Sequence, residues 1–202
     1  MNKKLIISAL LAGGAFRAGD LAAQASTNAG FLLNAHVQNA AVRVGESDSS
    51  IETGIGGGIT AGYNYNERLG LYLTLDGTRI QDDGDDAVVL AQADLGVRYT
   101  FGGTSGALRP YLNAAVSGVA LRGEDDDPDT DERVDYTYSG PAFTVGAGLQ
   151  YFLSPRLALD GGIQASVGKL NSLRIDGDEV DLGPSEIDIT TSRLQIGLAW
   201  HP

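Results

Sequence analysis

Nine residues in the first half of the chain, Leu69-Gly-Leu-Tyr-Leu-Thr-Leu-Asp-Gly77, place leucine at every odd position from 69 to 75 and glycine or a polar group at every even one. A period of two belongs to a β-strand with two unlike faces. The same alternation recurs along the chain in runs at about Gly30–Val42, Thr53–Tyr65, Leu69–Ile80, Ala87–Phe101, Arg109–Arg122, Tyr138–Leu153, Leu157–Ser172 and Ile189–Trp200. No helical period competes with them. Eight such runs in 202 residues predict a single all-β domain.

The connections alternate in length. Asn66-Glu67-Arg68, Gly102–Leu108 and Ser154-Pro155-Arg156 are short. Gly45–Glu52, Gln81–Asp86, Gly123–Thr137 and Leu173–Asp188 are long and hold 21 of the 26 acids. An up-and-down order puts the short turns at one end and the long loops at the other, the plan of an outer-membrane barrel. Phe31, Tyr63, Tyr65, Tyr99, Phe101, Tyr111, Tyr151, Phe152 and Trp200 collect at the short-turn end, where an interfacial girdle is expected.

Alternation alone does not say which face points inward. A lipocalin-like soluble barrel would hold an apolar ligand inside. The polar face here is mostly Gly, Ser, Thr, Asn and Gln with almost no lysine, whereas a solvated sheet carries many charges. Small polar side chains suit the narrow lumen of an eight-stranded barrel. Asp76, Asp94, Asp160, Arg98 and Arg193 then become lumen groups, expected to pair with one another because buried charges require partners.

Lys3 and Lys4 precede an apolar stretch to Phe16, and Ala23-Gln-Ala25 has the small-x-small pattern of a cleavage site. Residues 1–25 therefore read as a signal peptide and 26–202 as the barrel. With no cysteine, disulfides and thiol chemistry are excluded. A net charge of −12 argues against nucleic acid.

The stretch Phe143-Thr-Val-Gly-Ala-Gly-Leu-Gln-Tyr-Phe-Leu-Ser-Pro-Arg-Leu-Ala-Leu-Asp-Gly-Gly162 resembles the paired strands of the OmpA-like and opacity-type small outer-membrane barrels. Arg193-Leu-Gln-Ile-Gly-Leu-Ala-Trp200 resembles their C-terminal assembly signal, with Gln195, Gly197 and Trp200 in its polar, glycine and aromatic places. The family's usual closing aromatic is replaced by His201-Pro202. The resemblance implies an eight-stranded antiparallel up-and-down transmembrane β-barrel in the outer membrane of a Gram-negative-type bacterium. Its implied contacts are membrane lipid, lipopolysaccharide and the barrel-assembly machinery, and a monomer is expected.

Other chemistry is weakly signalled. Gly56-x-Gly58-x-x-Ala61 lacks the helix that a dinucleotide fingerprint needs. Asp125, Asp127, Asp129 and Asp131, and separately Asp176 and Asp178, offer oxygen ligands for Ca²⁺ or Mg²⁺. They lack the glycine and the closing glutamate of a calcium loop, so only weak ion bridging, for example to lipopolysaccharide phosphates, is expected. His36 and His201 are the only histidines, and no nucleophile and acid accompany them in sequence as a hydrolase requires. The expectation is a non-enzymatic barrel without cofactor that displays acidic loops, with a narrow solute channel as the alternative.

Overall fold

The computed structural model describes residues 28–45, 50–81, 87–102, 106–126, 133–175 and 178–202. The proposed signal peptide lies outside these residues. Eight long strands form the wall: β1 (Gly30–Val44), β2 (Glu52–Asn64), β3 (Leu69–Gln81), β4 (Ala87–Thr100), β5 (Leu108–Asp126), β6 (Arg133–Ser154), β7 (Leu157–Leu170) and, at the C-terminal end, β10 (Ile187–Trp200). Each pairs antiparallel with its neighbours, β1 with β10 and β5 with β6, so the sheet closes and leaves no edge among the eight.

The register gives the stagger. Following cross-strand partners from Leu33 through Ala61, Leu73, Leu95, Val116, Phe143, Val167 and Thr190 returns to β1 at Arg43, ten residues further on (43 − 33). Ten residues of rise across eight strand spacings correspond to a strand tilt of about 40°. Outer-membrane barrels have this tilt because it lets eight strands close while satisfying every backbone hydrogen bond.

The predicted strands are all present, and two loops hold more structure than expected. β5 and β6 continue past the barrel, pairing as far as Asp126 with Arg133. Within Leu173–Asp188 lie β8 (Ser172–Ile175), β9 (Asp178–Asp181) and a single 3₁₀ turn, Gly183–Ser185; β8 adds to the extended end of β6. Dense acids hid β9 and the ends of β5 and β6 from the apolar period, and β8, four residues long, is too short to show one.

Leu69, Leu71, Leu73 and Leu75 all face out and are 42–49% exposed, while Tyr72, Thr74 and Asp76 between them are buried. The wall is thus apolar outside and polar inside. Asn66 Oδ1 holds one short turn by accepting from the Arg68 and Leu69 amides at 2.9 Å each. In another, Gly102 adopts φ 94°, which a side chain would strain.

Candidate functional site

The lumen is layered. Toward the loop end, Ala40, Val42, Ile80, Leu90, Val119, Leu121, Leu170 and Ile189 point inward and pack as one buried apolar plug. Toward the turn end, Leu32, Phe152, Ala158 and Ala199 form a second. Between them lies a belt of buried polar and charged side chains. Neither plug was expected from the sequence. Parity could have found them, since Val42, Ile80 and Leu90 continue the inward faces of Gln38, Asp76 and Gln92.

The sequence-predicted charges fall into two groups. Arg193 reaches across the barrel from β10, pairing through Nη1 with Asp76 and through Nη2 with Asp94 at 2.7 Å. The same Nη2 donates to Gln164 at 2.7 Å. Asp76 also meets His36 Nε2 at 2.8 Å. Gln92 donates to Asp94 at 2.9 Å and to Ser166 at 3.0 Å, extending the network into hydroxyls of Thr144 and Ser117. In the second group Asp160 accepts from Tyr111 and from Gln150 at 2.8 Å each, and Arg98 stands 3.6 Å away. The Arg98 guanidinium lies 4.1 Å from the Tyr111 ring centroid, close enough for cation–π attraction. The predicted charges thus form two ion-pair groups, bridged through Gln164, which accepts from Arg193 and donates to Gln195. Asp160 and Arg98 sit on the turn-end side of the Arg193 group.

A third group closes the turn end. Arg109 lies over the Phe152 ring at 4.3 Å and approaches Glu67 at 3.9 Å, and the His201 ring is tilted against Phe152 with centroids 5.1 Å apart. Burial, with Arg98 and Arg109 nearby, pushes the His201 imidazole down to a pKa of about 4. Here two girdle assignments are corrected. Tyr111 and Phe152 are buried in the lumen. They lie at the right level, but strand parity turns them inward, because Leu112 and Tyr151 beside them occupy the outer face. Phe31, Tyr63, Tyr65, Tyr99, Phe101, Tyr151 and Trp200 do face out, with edge-to-face pairs such as Phe31–Tyr63 at 5.1 Å.

Glycines make room for the belt. A Cβ at Gly58 would sit 2.0 Å from Asp76 Oδ1 and 2.9 Å from His36 Nε2, so the run Gly54–Gly58 serves packing and not phosphate. His36 Nδ1 has no hydrogen-bond partner. A histidine–aspartate pair is present, and among the described residues no hydroxyl reaches it to form a triad. Of the assembly-signal residues, Gln195 is a lumen side chain that accepts from Gln164 at 3.3 Å, Gly197 packs its backbone against His36, and Trp200 faces out beside Leu33 and Leu157. Asp127, Asp129, Asp131 and Asp176 lie outside the described residues. Asp125 pairs with Val134 on β5, and Asp178 with Ile175 on β9.

The closed eight-stranded wall with an apolar exterior specifies a membrane barrel, and the family model for the outer membrane protein beta-barrel domain matches residues 8–201. The chain belongs to that family. It is accordingly a barrel of the Gram-negative outer membrane. No curated protein sequence matches it. Among solved structures it is similar to Neisserial surface protein A (18% identity, 85% of this chain and 97% of that one, TM-score 0.60). It is also similar to a major outer membrane protein from Thermus thermophilus (14%, 83% and 98%, 0.57). A third is Ail, the attachment invasion locus protein of Yersinia pestis (15%, 85% and 99%, 0.51). At these identities the likeness is one of fold.

Proposed function

We propose that this outer-membrane barrel is a non-enzymatic, non-conducting anchor whose four long acidic loops face the exterior and carry surface interactions. The observation that supports it is the pair of buried apolar plugs that flank the salt-bridged belt of the lumen, which leaves the loops as the accessible part of the molecule. Acid accumulation there, 21 of 26 residues, gives the exterior a negative field that attracts cations and basic partners. Weak Ca²⁺ or Mg²⁺ bridging through Asp125–Asp131 and Asp176–Asp178 is part of the reading, as is recognition of Gln195, Gly197 and Trp200 by the assembly machinery. A His–Asp pair that no nucleophile among the described residues joins supports a non-hydrolytic reading.

Recording from planar bilayers tests the first half. The barrel is expected to show no steady conductance, and stable ohmic steps would overturn the anchor reading in favour of a solute channel. Protease treatment of intact cells tests the second half. Cleavage confined to the long loops is expected, and protection of all four would reverse the orientation.

A further inference from the structure

Two arginines of the lumen are held in unlike ways. The Nη groups of Arg193 meet two carboxylates, Asp76 and Asp94, and donate to Gln164 at 2.7 Å. Arg98 has one carboxylate, Asp160, and at 3.6 Å that is too far for a hydrogen bond. Asp160 is already occupied, accepting from Tyr111 and Gln150 at 2.8 Å each. Arg98 is 5% exposed, and its Nε and Nη1 have no hydrogen-bond partner among the described residues. A guanidinium buried in that condition is costly, because its charge has left water without gaining hydrogen bonds in exchange.

Two neighbours of Arg98 share its condition. Asn113 is its direct partner across β4 and β5; it is buried, and neither its Oδ1 nor its Nδ2 is hydrogen-bonded among the described residues. Tyr72, on β3, is buried too, with a hydroxyl that has no partner there and a ring centroid 5.7 Å from the Arg98 guanidinium. That hydroxyl comes down over Gly96, two residues before Arg98, where a Cβ would sit 2.8 Å from it. Arg98, Tyr72 and Asn113 thus stand on three adjacent strands and offer mostly N–H and O–H groups. A guanidinium only donates, a phenol hydroxyl donates one hydrogen, and a carboxamide offers whichever end is turned to the ligand. What this set lacks is an acceptor.

The geometry points to an anion site: Arg98, Tyr72 and Asn113 hold one monovalent, chloride-sized anion in the lumen, in the place on Arg98 that a second carboxylate takes on Arg193. Water fits the set less well. It brings two hydrogens that need acceptors of their own, whereas an anion brings none and accepts from all three side chains, through bonds that charge makes shorter and stronger. The space suits a sphere and not a branched oxyanion. The Tyr111 ring covers one side of the guanidinium at 4.1 Å, and Asn113 Oδ1 lies so close to β6 that a Cβ at Gly146 would be 2.3 Å from it. The site lies inside the wall, on the short-turn side of the Arg193 group. It goes beyond the anchor reading and stands whichever end of the barrel faces the exterior.

The plug of Leu32, Phe152, Ala158 and Ala199 stands between this site and the turn-end mouth, so the ion is taken up as the barrel folds. The test therefore folds the full-length chain into phosphatidylcholine vesicles in sodium chloride, bromide, sulfate or gluconate at equal ionic strength and reads the urea midpoint. Chloride and bromide are expected to raise the midpoint above that in gluconate, with a gain that saturates as the halide is increased, and sulfate to behave as gluconate does. Tyr72→Phe removes one donor and keeps the ring, and should raise the chloride concentration that gives half the gain about tenfold. Gly77→Ala, on the outer face, should leave that concentration unchanged. An equal midpoint in gluconate, or a gain that climbs without saturating, would overturn the site. A gain from sulfate equal to that from chloride would overturn the chloride-sized assignment. A half-gain concentration that Tyr72→Phe does not move would overturn the placement at Arg98. If Tyr72→Phe does not fold, crystals of the unaltered barrel folded in bromide decide. An anomalous peak within hydrogen-bonding reach of Arg98 Nε or Nη1 is expected, and density there without anomalous signal would mean water and sink the proposal.

Discussion

Arg193 and Asp94 stand 99 positions apart in the chain and 2.7 Å apart in the lumen, with Asp76 on the other arm of the same guanidinium. One cation thus ties β3, β4 and β10 together across the barrel. Removing it leaves two carboxylates buried without their counter-charge. Arg193→Met is expected to destabilise the barrel by about 3–5 kcal/mol, because the residual buried charge costs more than the pair contributed. Arg193→Lys should recover only part of this, since a single ammonium cannot reproduce the fork. Urea unfolding in vesicles, followed by Trp200 fluorescence, measures both.

Two glycines 19 positions apart make a matched pair. A Cβ at Gly58 would meet Asp76 Oδ1 at 2.0 Å and the Leu75 carbonyl at 2.5 Å, whereas one at Gly77 would meet nothing within 4 Å. Gly58→Ala should cost about 1–3 kcal/mol through overpacking and displacement of Asp76. Gly77→Ala should be neutral or stabilising by up to about 1 kcal/mol. Equal effects in the same unfolding assay would contradict the packed lumen.

The strand plan was legible because lipid outside and a narrow lumen inside impose opposite demands on alternate residues, as Leu69–Leu75 and Tyr72–Asp76 show. Tyr111 and Phe152 show where end position misleads and parity succeeds. The pairing of Arg193 with Asp76 and Asp94, and of Arg98 with Asp160, was not legible in the same way. It depends on the ten-residue stagger, which decides which strands face each other across the lumen, and no local pattern encodes it. The plugs were hidden for another reason: an inward valine or leucine at a strand end looks like a break in alternation unless the face is followed through.

Those plugs behave as a core although they lie inside a membrane protein. Leu90 is 2% exposed among Ile80, Val119 and Leu121, while Leu95, five residues on, is 58% exposed on the lipid face. Leu90→Ala should cost about 2–5 kcal/mol by leaving a cavity. Leu95→Ala should cost well under half of that, because lipid chains are as apolar as leucine and close over the gap. Unfolding midpoints of the two variants in one lipid make the comparison.

His201, which follows the last strand, provides a pH test at the turn-end plug. It is 4% exposed against Phe152, and neither ring nitrogen has a hydrogen-bond partner. Burial, and after it the positive charges of Arg98 and Arg109, hold its pKa at about 4 against an ordinary 6.5, with Asp160 acting weakly in the other direction. The folded state therefore keeps the ring neutral over a range in which the unfolded chain protonates it. Between pH 6.5 and 4 the unfolded state binds more protons, so stability falls as the pH falls, by up to about 3 kcal/mol, and levels off below pH 4. His201→Phe keeps a ring packed against Phe152 and removes the titration. Its unfolding free energy should follow that of the wild type above pH 7 and lose this slope between pH 6.5 and 4. A variant that keeps the full slope would show that the acid sensitivity of the barrel arises elsewhere.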